Sequence, residues 1–226
     1  MIQAALHCGV LKVLFTSTDK AIGPTNTYGA TKLTAERLIS SAEYHKGNKP
    51  TDFFSVRFGN VMGSRGSVIP LFKQQILEKG HITLTDPEMV RYMMTPSQAI
   101  TLMLKAMSIA KGGEVFVLKM PVIKLSDLAD ILIDEVSEKY GIQSPLHIDI
   151  VGLRPGEKMY EELMTSDEAR SALEIDDMYI IPSLYSDKKY TYDNAMYASE
   201  TAGDVRSERA ISKEKLRDWI ISEQLI

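Results

Sequence analysis

The sequence predicts an α/β protein built on a parallel sheet. Short apolar runs rich in β-branched and aromatic residues alternate with amphipathic segments of about 10–18 residues, an order typical of βαβ units. Hydrophobic residues make up 44% of the 226 residues, so the chain can bury a substantial core. The sequence shows no internal repeat and no low-complexity tract.

The predicted elements follow one another along the chain. Residues 2–10 are typical of the end of a helix closed by Gly9, and Val10–Thr16 is typical of a strand covered on both faces. Pro96 suits the first turn of a helix, where its missing N–H has no partner to lose. The other predicted helices are Tyr28–His45, Val68–Glu78, Pro96–Ala110, Ser126–Tyr140, Glu157–Met164 and Ser212–Ser222, and the other predicted strands are Phe53–Phe58, Ile82–Leu84, Val90–Met94, Glu114–Leu118 and His147–Val151.

Composition and charge exclude several classes of protein. The chain has 26 Lys and Arg against 30 Asp and Glu, a net charge of −4, so it lacks the basic footprint of a nucleic-acid binder. Its apolar runs are too short for a membrane span, and Met1–Val10 lacks the basic start of a secretory signal. Cys8 is the only cysteine and is expected to be buried, and the four histidines are scattered along the sequence, so we expect no metal site. These features favour a cytoplasmic protein.

A tyrosine and a lysine on one helix carry the first chemical signal. Tyr28 and Lys32 are four residues apart, so they share a helix face, and a lysine ammonium beside a phenol favours the phenolate. Such a pair suits general-base chemistry on a hydroxyl group. Taken alone, the spacing also fits an ordinary ladder of surface residues. Thr18 follows the end of a predicted strand, where open α/β sheets bind their ligands.

Five segments in order narrow the interpretation. They are Ser17-Thr18-Asp19-Lys20-Ala21, Tyr28-Gly29-Ala30-Thr31-Lys32, Arg57-Phe58-Gly59-Asn60-Val61, Gly63-Ser64-Arg65-Gly66-Ser67-Val68 and Gly152-Leu153-Arg154-Pro155-Gly156-Glu157-Lys158. Together they resemble the extended short-chain dehydrogenase/reductases, in particular the polysaccharide biosynthesis branch and its inverting UDP-N-acetylglucosamine 4,6-dehydratases. The resemblance runs from about Ile2 to at least Ser183. It implies a Rossmann-like, doubly wound parallel sheet with a smaller C-terminal substrate-binding subdomain. Because the strand Val10–Thr16 would present an exposed hydrophobic edge without the family's N-terminal units, we also expect a homo-oligomer.

The resemblance also implies catalytic roles. Tyr28 would take the proton of the sugar 4-hydroxyl while hydride leaves C4 for a nicotinamide cofactor, NADP or alternatively NAD, and Thr18 would hydrogen-bond the 4-oxygen. Lys20 would remove the C5 proton and Asp19 would protonate the departing 6-hydroxyl, before hydride returns to C6 and C5 is reprotonated on the opposite face. Lys32 would hold the cofactor ribose. The residues implied in cofactor binding are Tyr28, Lys32 and Arg57.

A second set of residues is implied in binding the UDP-sugar. The backbone amides at the start of the helix from Val68 suit a diphosphate, and the guanidinium groups of Arg91 and Arg154 match phosphate oxygens. Glu157 could accept hydrogen bonds from the uridine ribose. Each of these segments also has a purely structural interpretation. Asp19-Lys20 fits a solvated turn, the glycine-rich loop before Val68 fits a loop that only needs tight turns, and Arg154–Lys158 fits a charged turn. The substrate-binding candidates are Asn60, Arg65, Ser67, Val68, Arg91, Arg154 and Glu157.

One expected motif is missing. No Gly-x-Gly-x-x-Gly follows a strand, although the family carries this phosphate-binding motif near its N-terminus. We therefore expect that the first βα units, on the order of 100 residues at about 30 per unit, are absent. Either the chain is a fragment or truncated form, or another chain supplies the missing half. The expected division is a partial nucleotide-binding domain with the catalytic residues over 1–120, a substrate-binding subdomain over 121–185 and a C-terminal tail and helix over 186–226, with the two domains interleaved.

Two alternatives to the dehydratase stay open. A UDP-N-acetylglucosamine 4- or 5-epimerase of the same branch shares the Ser-Thr-Asp-Lys segment. A non-catalytic nucleotide-sugar-binding fragment or subunit is favoured by the missing glycine motif.

Overall fold

The structure, a computed structural model, describes residues 1–183, 185 and 191–226. Residues 184 and 186–190, which include the start of the predicted C-terminal tail, lie outside this part. The helices are α1 (Ile2–Cys8), α2 (Thr27–His45), α3 (Val68–Lys79), α4 (Pro96–Ile109), α5 (Leu125–Tyr140), α6 (Ser166–Ser171) and α7 (Lys213–Ser222), with 3-10 helices at Asp19–Ala21 and Val205–Ser207. The strands are β1 (Lys12–Thr16), β2 (Asp52–Arg57), β3 (Asn60–Val61), β4 (His81–Leu84), β5 (Val90–Met94), β6 (Val115–Leu118), β7 (Val122–Lys124), β8 (His147–Ile150), β9 (Leu173–Ile175), β10 (Met178–Ile181) and β11 (Met196–Tyr197).

These elements form two compact units that are interleaved in the sequence. The first comprises Met1–Phe58, Ile100–Lys119 and Glu162–Ser207, and the second comprises Gly59–Ala99, Met120–Glu161 and Glu208–Ile226. The units divide the chain at other residues than the predicted domain boundaries, and one division falls inside α4. The assignment of nucleotide binding and substrate binding to separate domains stays a prediction.

The first unit contains a six-stranded sheet in the order β1-β2-β6-β10-β9-β11. β1, β2 and β6 are parallel, which agrees with the predicted α/β class, whereas the pairs β6–β10, β10–β9 and β9–β11 are antiparallel. The predicted parallel sheet is thus confirmed over β1, β2 and β6, and the antiparallel strands β10, β9 and β11 extend it. The missed strands β9 and β10 are very short and form a hairpin about Asp176-Asp177, so they carry little pattern of their own.

In the N-terminal segment, the structure confirms one sequence prediction and corrects two others. Gly9 ends α1 in a left-handed conformation with φ 65°, as predicted. β1 lies at the end of the sheet order and is only half-buried, which corrects the expectation of a strand covered on both faces. Cys8 is exposed rather than buried, because the face of α1 that packs on the core carries Ile2, Ala5 and Leu6 instead.

The second unit has its own hydrophobic core and two small sheets. β3 and β5 are parallel, β5 and β7 are antiparallel, and β4 and β8 form a separate parallel pair. The helices α3, α5 and α7 supply core side chains such as Phe72, Leu132 and Ile220. The predicted helix Glu157–Met164 does not form. The Lys158 and Met159 carbonyl oxygens accept hydrogen bonds from Arg91 instead of from helical N–H groups. No helix in the described part of the chain combines the length and the apolar character that crossing a membrane requires.

Candidate functional site

The first candidate cluster follows β1 in the first unit, at the carboxyl end of that strand. Thr18 is the N-cap of the short 3-10 helix, and its side chain accepts a hydrogen bond from the Lys20 backbone. The Thr18 hydroxyl donates to Asp19 Oδ1 at 2.8 Å, and Lys20 Nζ lies 3.0 Å from the same oxygen. Asp19 is buried whereas the Lys20 side chain is 39% exposed. The cluster thus places a buried carboxylate beside a lysine that solvent or a ligand can reach.

The start of α2 brings Tyr28 and Lys32 to the same cluster of the first unit. Asn26 caps α2 by accepting a hydrogen bond from the Gly29 N–H at 2.9 Å. A Cβ at Gly29 would lie only 2.1 Å from the Lys20 carbonyl oxygen, so glycine is what lets the helix approach the 3-10 turn. Tyr28 is 53% exposed, and Lys32 Nζ lies 6.0 Å from the centre of its ring. The predicted shared face of these two side chains is confirmed.

Lys32 has a fixed position. Its ammonium donates to the Thr16 carbonyl oxygen at 3.0 Å and lies 5.1 Å from the centre of the Phe15 ring. An ammonium group has three N–H donors, so two remain for other acceptors. The lysine is therefore oriented by the end of β1 while it keeps donors for a ligand.

Arg57 corrects a sequence expectation. Its side chain is fully buried, with Nη2 at 2.6 Å from Glu36 and Nη1 at 2.9 Å from Glu168 and 3.0 Å from the Leu163 carbonyl oxygen. Burial alone would lower the pKa of the Arg57 guanidinium, but the attraction of Glu36 and Glu168 outweighs it and raises that pKa above its ordinary value. The guanidinium joins β2, α2 and α6 of the first unit and is not accessible to a cofactor.

Glu36 and Glu168 were missed by the sequence analysis. Burial would raise the pKa of the Glu168 carboxyl, but the Arg57 charge and hydrogen bonds outweigh it and hold that pKa below its ordinary value. The sequence did contain one indication of such partners. Arg57 belongs to a mostly apolar strand, and a buried arginine needs carboxylate partners. Which glutamates supply them depends on tertiary packing.

The second candidate cluster lines a cavity of about 280 Å³ in the second unit. Ser67 precedes α3, and its buried hydroxyl has no hydrogen-bond partner among the described residues. The first N–H groups of a helix have no acceptors within the helix, so Val68 and Ile69 offer free donors beside this hydroxyl. The cavity lining includes six of the seven predicted substrate residues, namely Asn60, Ser67, Val68, Arg91, Arg154 and Glu157. The seventh, Arg65, is exposed and does not belong to this lining.

Arg91 uses its guanidinium mainly to hold the chain that follows β8. It donates to the carbonyl oxygens of Val90 and Met159 at 2.9 Å and of Lys158 at 2.7 Å. Its Nε lies 3.4 Å from the buried Glu161 carboxylate. Arg91 therefore positions the segment that carries Glu157, in place of the freely directed phosphate contact that we expected.

Two other predicted residues of the second unit, Asn60 and Arg154, form hydrogen bonds with the chain that follows β8. The Asn60 side-chain amide donates to the Tyr92 carbonyl oxygen at 3.0 Å and to the Glu161 carboxylate at 3.2 Å. Glu161 was not singled out in the sequence, because it was expected in a helix that does not form. The Arg154 N–H donates to the Glu157 carboxylate, so these two residues close a turn at the cavity.

Outside both clusters, the histidines are not scattered as expected. His81 and His147 are directly opposite each other in the β4–β8 pair, and Asp149 lies beside them. Pairing of distant strands brings them together, which sequence spacing does not reveal.

Curated relatives resemble most of this chain. It is 48% identical over 182 residues to the uncharacterized membrane protein MJ1061 of Methanocaldococcus jannaschii, covering 80% of this chain and 55% of the relative. It is 39% identical over 186 residues to a UDP-N-acetylglucosamine 4,6-dehydratase (inverting) of Campylobacter jejuni, with 81% and 53% covered. A UDP-glucose 4-epimerase of Rickettsia rickettsii is 37% identical over 190 residues, with 84% and 54% covered. The chain thus spans about half the length of these relatives.

Solved structures agree with the fold. The X-ray structure of Pen from Bacillus thuringiensis is 56% identical and matches with a TM-score of 0.89, covering 100% of this chain and 66% of that one. DesIV from Streptomyces venezuelae, a dTDP-glucose 4,6-dehydratase with NAD bound, matches with a TM-score of 0.59 at 20% identity, covering 70% and 52%. The latter likeness supports the predicted fold alone. The family described as polysaccharide biosynthesis protein matches residues 1–183, which is most of the sequence, and the chain belongs to this family.

Proposed function

We propose that the chain carries the acid–base residues of a 4,6-dehydratase that acts on UDP-N-acetylglucosamine and inverts C5. The observation that carries this proposal is the cluster of Thr18, Asp19 and Lys20, in which a buried carboxylate contacts a half-exposed ammonium. A simple hydride-transfer enzyme needs no such pair beside its tyrosine. The similarity to the Campylobacter jejuni dehydratase supports the same reaction. The product would serve surface polysaccharide or glycoprotein synthesis.

Tyr28 and Lys32 fit a nicotinamide cofactor. The exposed Tyr28 side chain can reach a sugar 4-hydroxyl and take its proton, and Lys32 keeps two N–H donors for ribose hydroxyls. When bound, the cofactor would accept hydride from C4 and return it to C6. We propose NADP for this role, with NAD as the alternative.

The Asp19–Lys20 contact can supply both proton transfers of the elimination. Lys20 must be neutral to take the C5 proton, and Asp19 must be protonated to release the 6-oxygen as water. A proton that moves along the 3.0 Å contact from Lys20 Nζ to Asp19 Oδ1 produces both forms at once. After elimination, Lys20 holds the C5 proton and Asp19 is ionised, so the pair returns to its starting charge. Reprotonation of C5 on the opposite face requires a donor other than Lys20.

The cavity of the second unit is assigned to the nucleotide part of the substrate. The Ser67 hydroxyl and the free amides of Val68 and Ile69 suit diphosphate oxygens. The exposed Arg154 can add a charge-assisted contact, and Glu157 can accept from the ribose hydroxyls. Arg91 acts as a positioning residue for this segment.

The experiment that tests the proposal is product analysis with UDP-N-acetylglucosamine and NADP. A dehydratase yields a 4-keto-6-deoxy sugar that is lighter by one water, which mass spectrometry and NMR identify. An epimerase, favoured by the similarity to the Rickettsia rickettsii enzyme, yields an epimer of unchanged mass that keeps its 6-hydroxyl. Binding of the UDP-sugar without turnover in excess NADP would contradict both reactions and support a non-catalytic binding chain.

A further inference from the structure

Two histidines and an aspartate lie on one face of the β4–β8 pair in the second unit. His81 is opposite His147, and Thr83 is opposite Asp149, in a parallel register. Side chains two residues apart on a strand point to the same side, so His147 and Asp149 share the face of His81. Neither candidate cluster described above contains any of these three side chains.

Their atoms are spaced as ligands of one ion. His81 Nε2 lies 3.7 Å from Asp149 Oδ2, and His147 Nε2 lies 3.6 Å from Asp149 Oδ1. The three ligand atoms are within 4.8 Å of one another, and the two imidazole rings stack with centres 5.4 Å apart. Tetrahedral bonds of about 2.0–2.2 Å to zinc place ligand atoms about 3.4 Å apart. Small side-chain rotations would therefore complete the coordination.

A backbone contact orients the first of these histidines. His81 Nδ1 lies 3.3 Å from the Lys79 carbonyl oxygen, which can only accept a hydrogen bond. In the neutral imidazole this contact places the proton on Nδ1 and leaves the lone pair on Nε2, the atom that faces Asp149. Metal-binding histidines typically have this outer contact to a carbonyl or carboxylate oxygen. The His147 and Asp149 side chains are 66% and 50% exposed, so an ion has access and water can fill its remaining positions.

We propose that His81, His147 and Asp149 bind a divalent transition metal of the zinc class. Two imidazole nitrogens and one carboxylate oxygen suit zinc, whereas magnesium prefers oxygen ligands. The ion would join the first residue of β4 to the first residue of β8. Beyond the other end of this pair, Gly152 donates to the Thr85 carbonyl oxygen close to the cavity. The site thus strengthens a strand pair that leads to the cavity, and it does not depend on the proposed reaction.

The test uses the four histidines of the chain as separate reporters. In the full chain with Cys8→Ser, which removes an exposed thiol that zinc could also bind, Zn²⁺ is titrated while imidazole NMR signals are recorded. We expect the His81 and His147 signals to shift and saturate at one equivalent, whereas His7 and His45 do not, and Mg²⁺ causes no shift. This measurement needs no variant within the site.

Substitutions then identify the ligands. Asp149→Asn should weaken Zn²⁺ binding at least tenfold in calorimetry, and His147→Ala should abolish the stoichiometric shift. His45→Ala, which removes an exposed histidine of the first unit, should bind Zn²⁺ like the parent. Equal shifts of all four histidines, no saturable binding, or an Asp149→Asn protein with unchanged affinity would each overturn the proposal.

Discussion

At Asp19, a carboxylate that would be costly to bury alone is held by the residues directly before and after it. Thr18 donates to it and Lys20 pairs with it, so the proposed acid–base cluster consists of adjacent residues and can be recognised in the sequence. Arg57 shows the opposite case. Its partners Glu36 and Glu168 are distant along the chain, and only folding reveals that its guanidinium is buried. Residue types therefore indicate contacts between adjacent residues. They do not indicate the role of a residue such as Arg57, whose contacts are to distant parts of the chain.

Tyr28→Phe should block reduction of bound nicotinamide. Removing the hydroxyl removes the base for the sugar 4-hydroxyl, and general-base catalysis contributes about 100- to 10,000-fold. The absorbance of the reduced cofactor in single-turnover experiments measures the effect. Tyr44→Phe, at an exposed tyrosine farther along α2, is the matched control and should react like the parent. Undiminished cofactor reduction in Tyr28→Phe would contradict the assigned base.

Glu168→Gln should change how stability depends on pH. The pKa of Glu168 lies below its ordinary value because Arg57 outweighs burial, so its ion pair stabilises the fold above about pH 4.5 and is lost as pH falls through the lowered pKa. Gln cannot ionise, so the variant should lose about 1–3 kcal/mol at pH 7 and show a weaker loss of stability in acid. Denaturant unfolding from pH 3 to 7 measures both effects.

The control for this prediction is Asp167→Asn, at an exposed carboxylate of the same helix that pairs with Arg170 at the surface. It should leave the pH profile nearly unchanged. Equal profiles for Glu168→Gln and the parent would show that the buried ion pair does not determine acid stability.

At the scale of elements, the junction between the 3-10 helix and α2 determines how Asp19 and Lys20 lie relative to Tyr28 and Lys32 in the proposed catalytic cluster. Gly29 permits the close approach, and Asn26 fixes where the helix starts. The sequence predicted α2 to within a residue, because its N-cap and periodicity are local signals. It did not predict the contact of Gly29 with Lys20, which depends on the crossing of the two elements.

Gly29→Ala should displace the 3-10 turn that carries the proposed acid–base residues Asp19 and Lys20. The added Cβ would lie 2.1 Å from a backbone oxygen, which cannot rotate away, so the 3-10 helix or α2 must shift. We expect a loss of about 1–3 kcal/mol of stability and a lower kcat, measured by denaturant unfolding and product formation. Ala30→Gly, at the next and exposed position, should cost about 1 kcal/mol through helix propensity and keep kcat. Normal kcat in Gly29→Ala would contradict the role of this junction.

Most long elements were predictable and most short ones were not. α3, β5 and α5 have the predicted ends to within one or two residues, since each combines clear periodicity with a proline or glycine boundary nearby. The stretch 157–164 looked helical, but side-chain contacts from Arg91 hold it in an irregular form. Strands of two or three residues, such as β3 and β11, carry too little pattern to predict and exist because a neighbouring strand pairs with them.

The molecule comprises two compact units, and the proposed roles are divided between them. The proposed acid–base residues belong to the first unit and the predicted nucleotide-binding residues to the second. Both groups were identified from family motifs that are contiguous segments, and their roles stay predictions. The sequence also predicted interleaved domains, but no motif encodes the residues at which the chain crosses between the units. The chain spans about half the length of these curated relatives. The property that most needs measurement is therefore whether this chain by itself converts the UDP-sugar.

The most direct measurement follows deuterium at C5 of UDP-N-acetylglucosamine incubated with NADP in D₂O. We predict a 4-keto-6-deoxy product with deuterium at an inverted C5 for the parent chain and for Lys49→Ala, which replaces an exposed lysine outside the clusters. Lys20→Ala should bind the UDP-sugar and form no such product. A Lys20→Ala protein that still dehydrates the sugar, or a parent product without deuterium at C5, would contradict the assignment of Lys20 and Asp19 as the dehydrating pair.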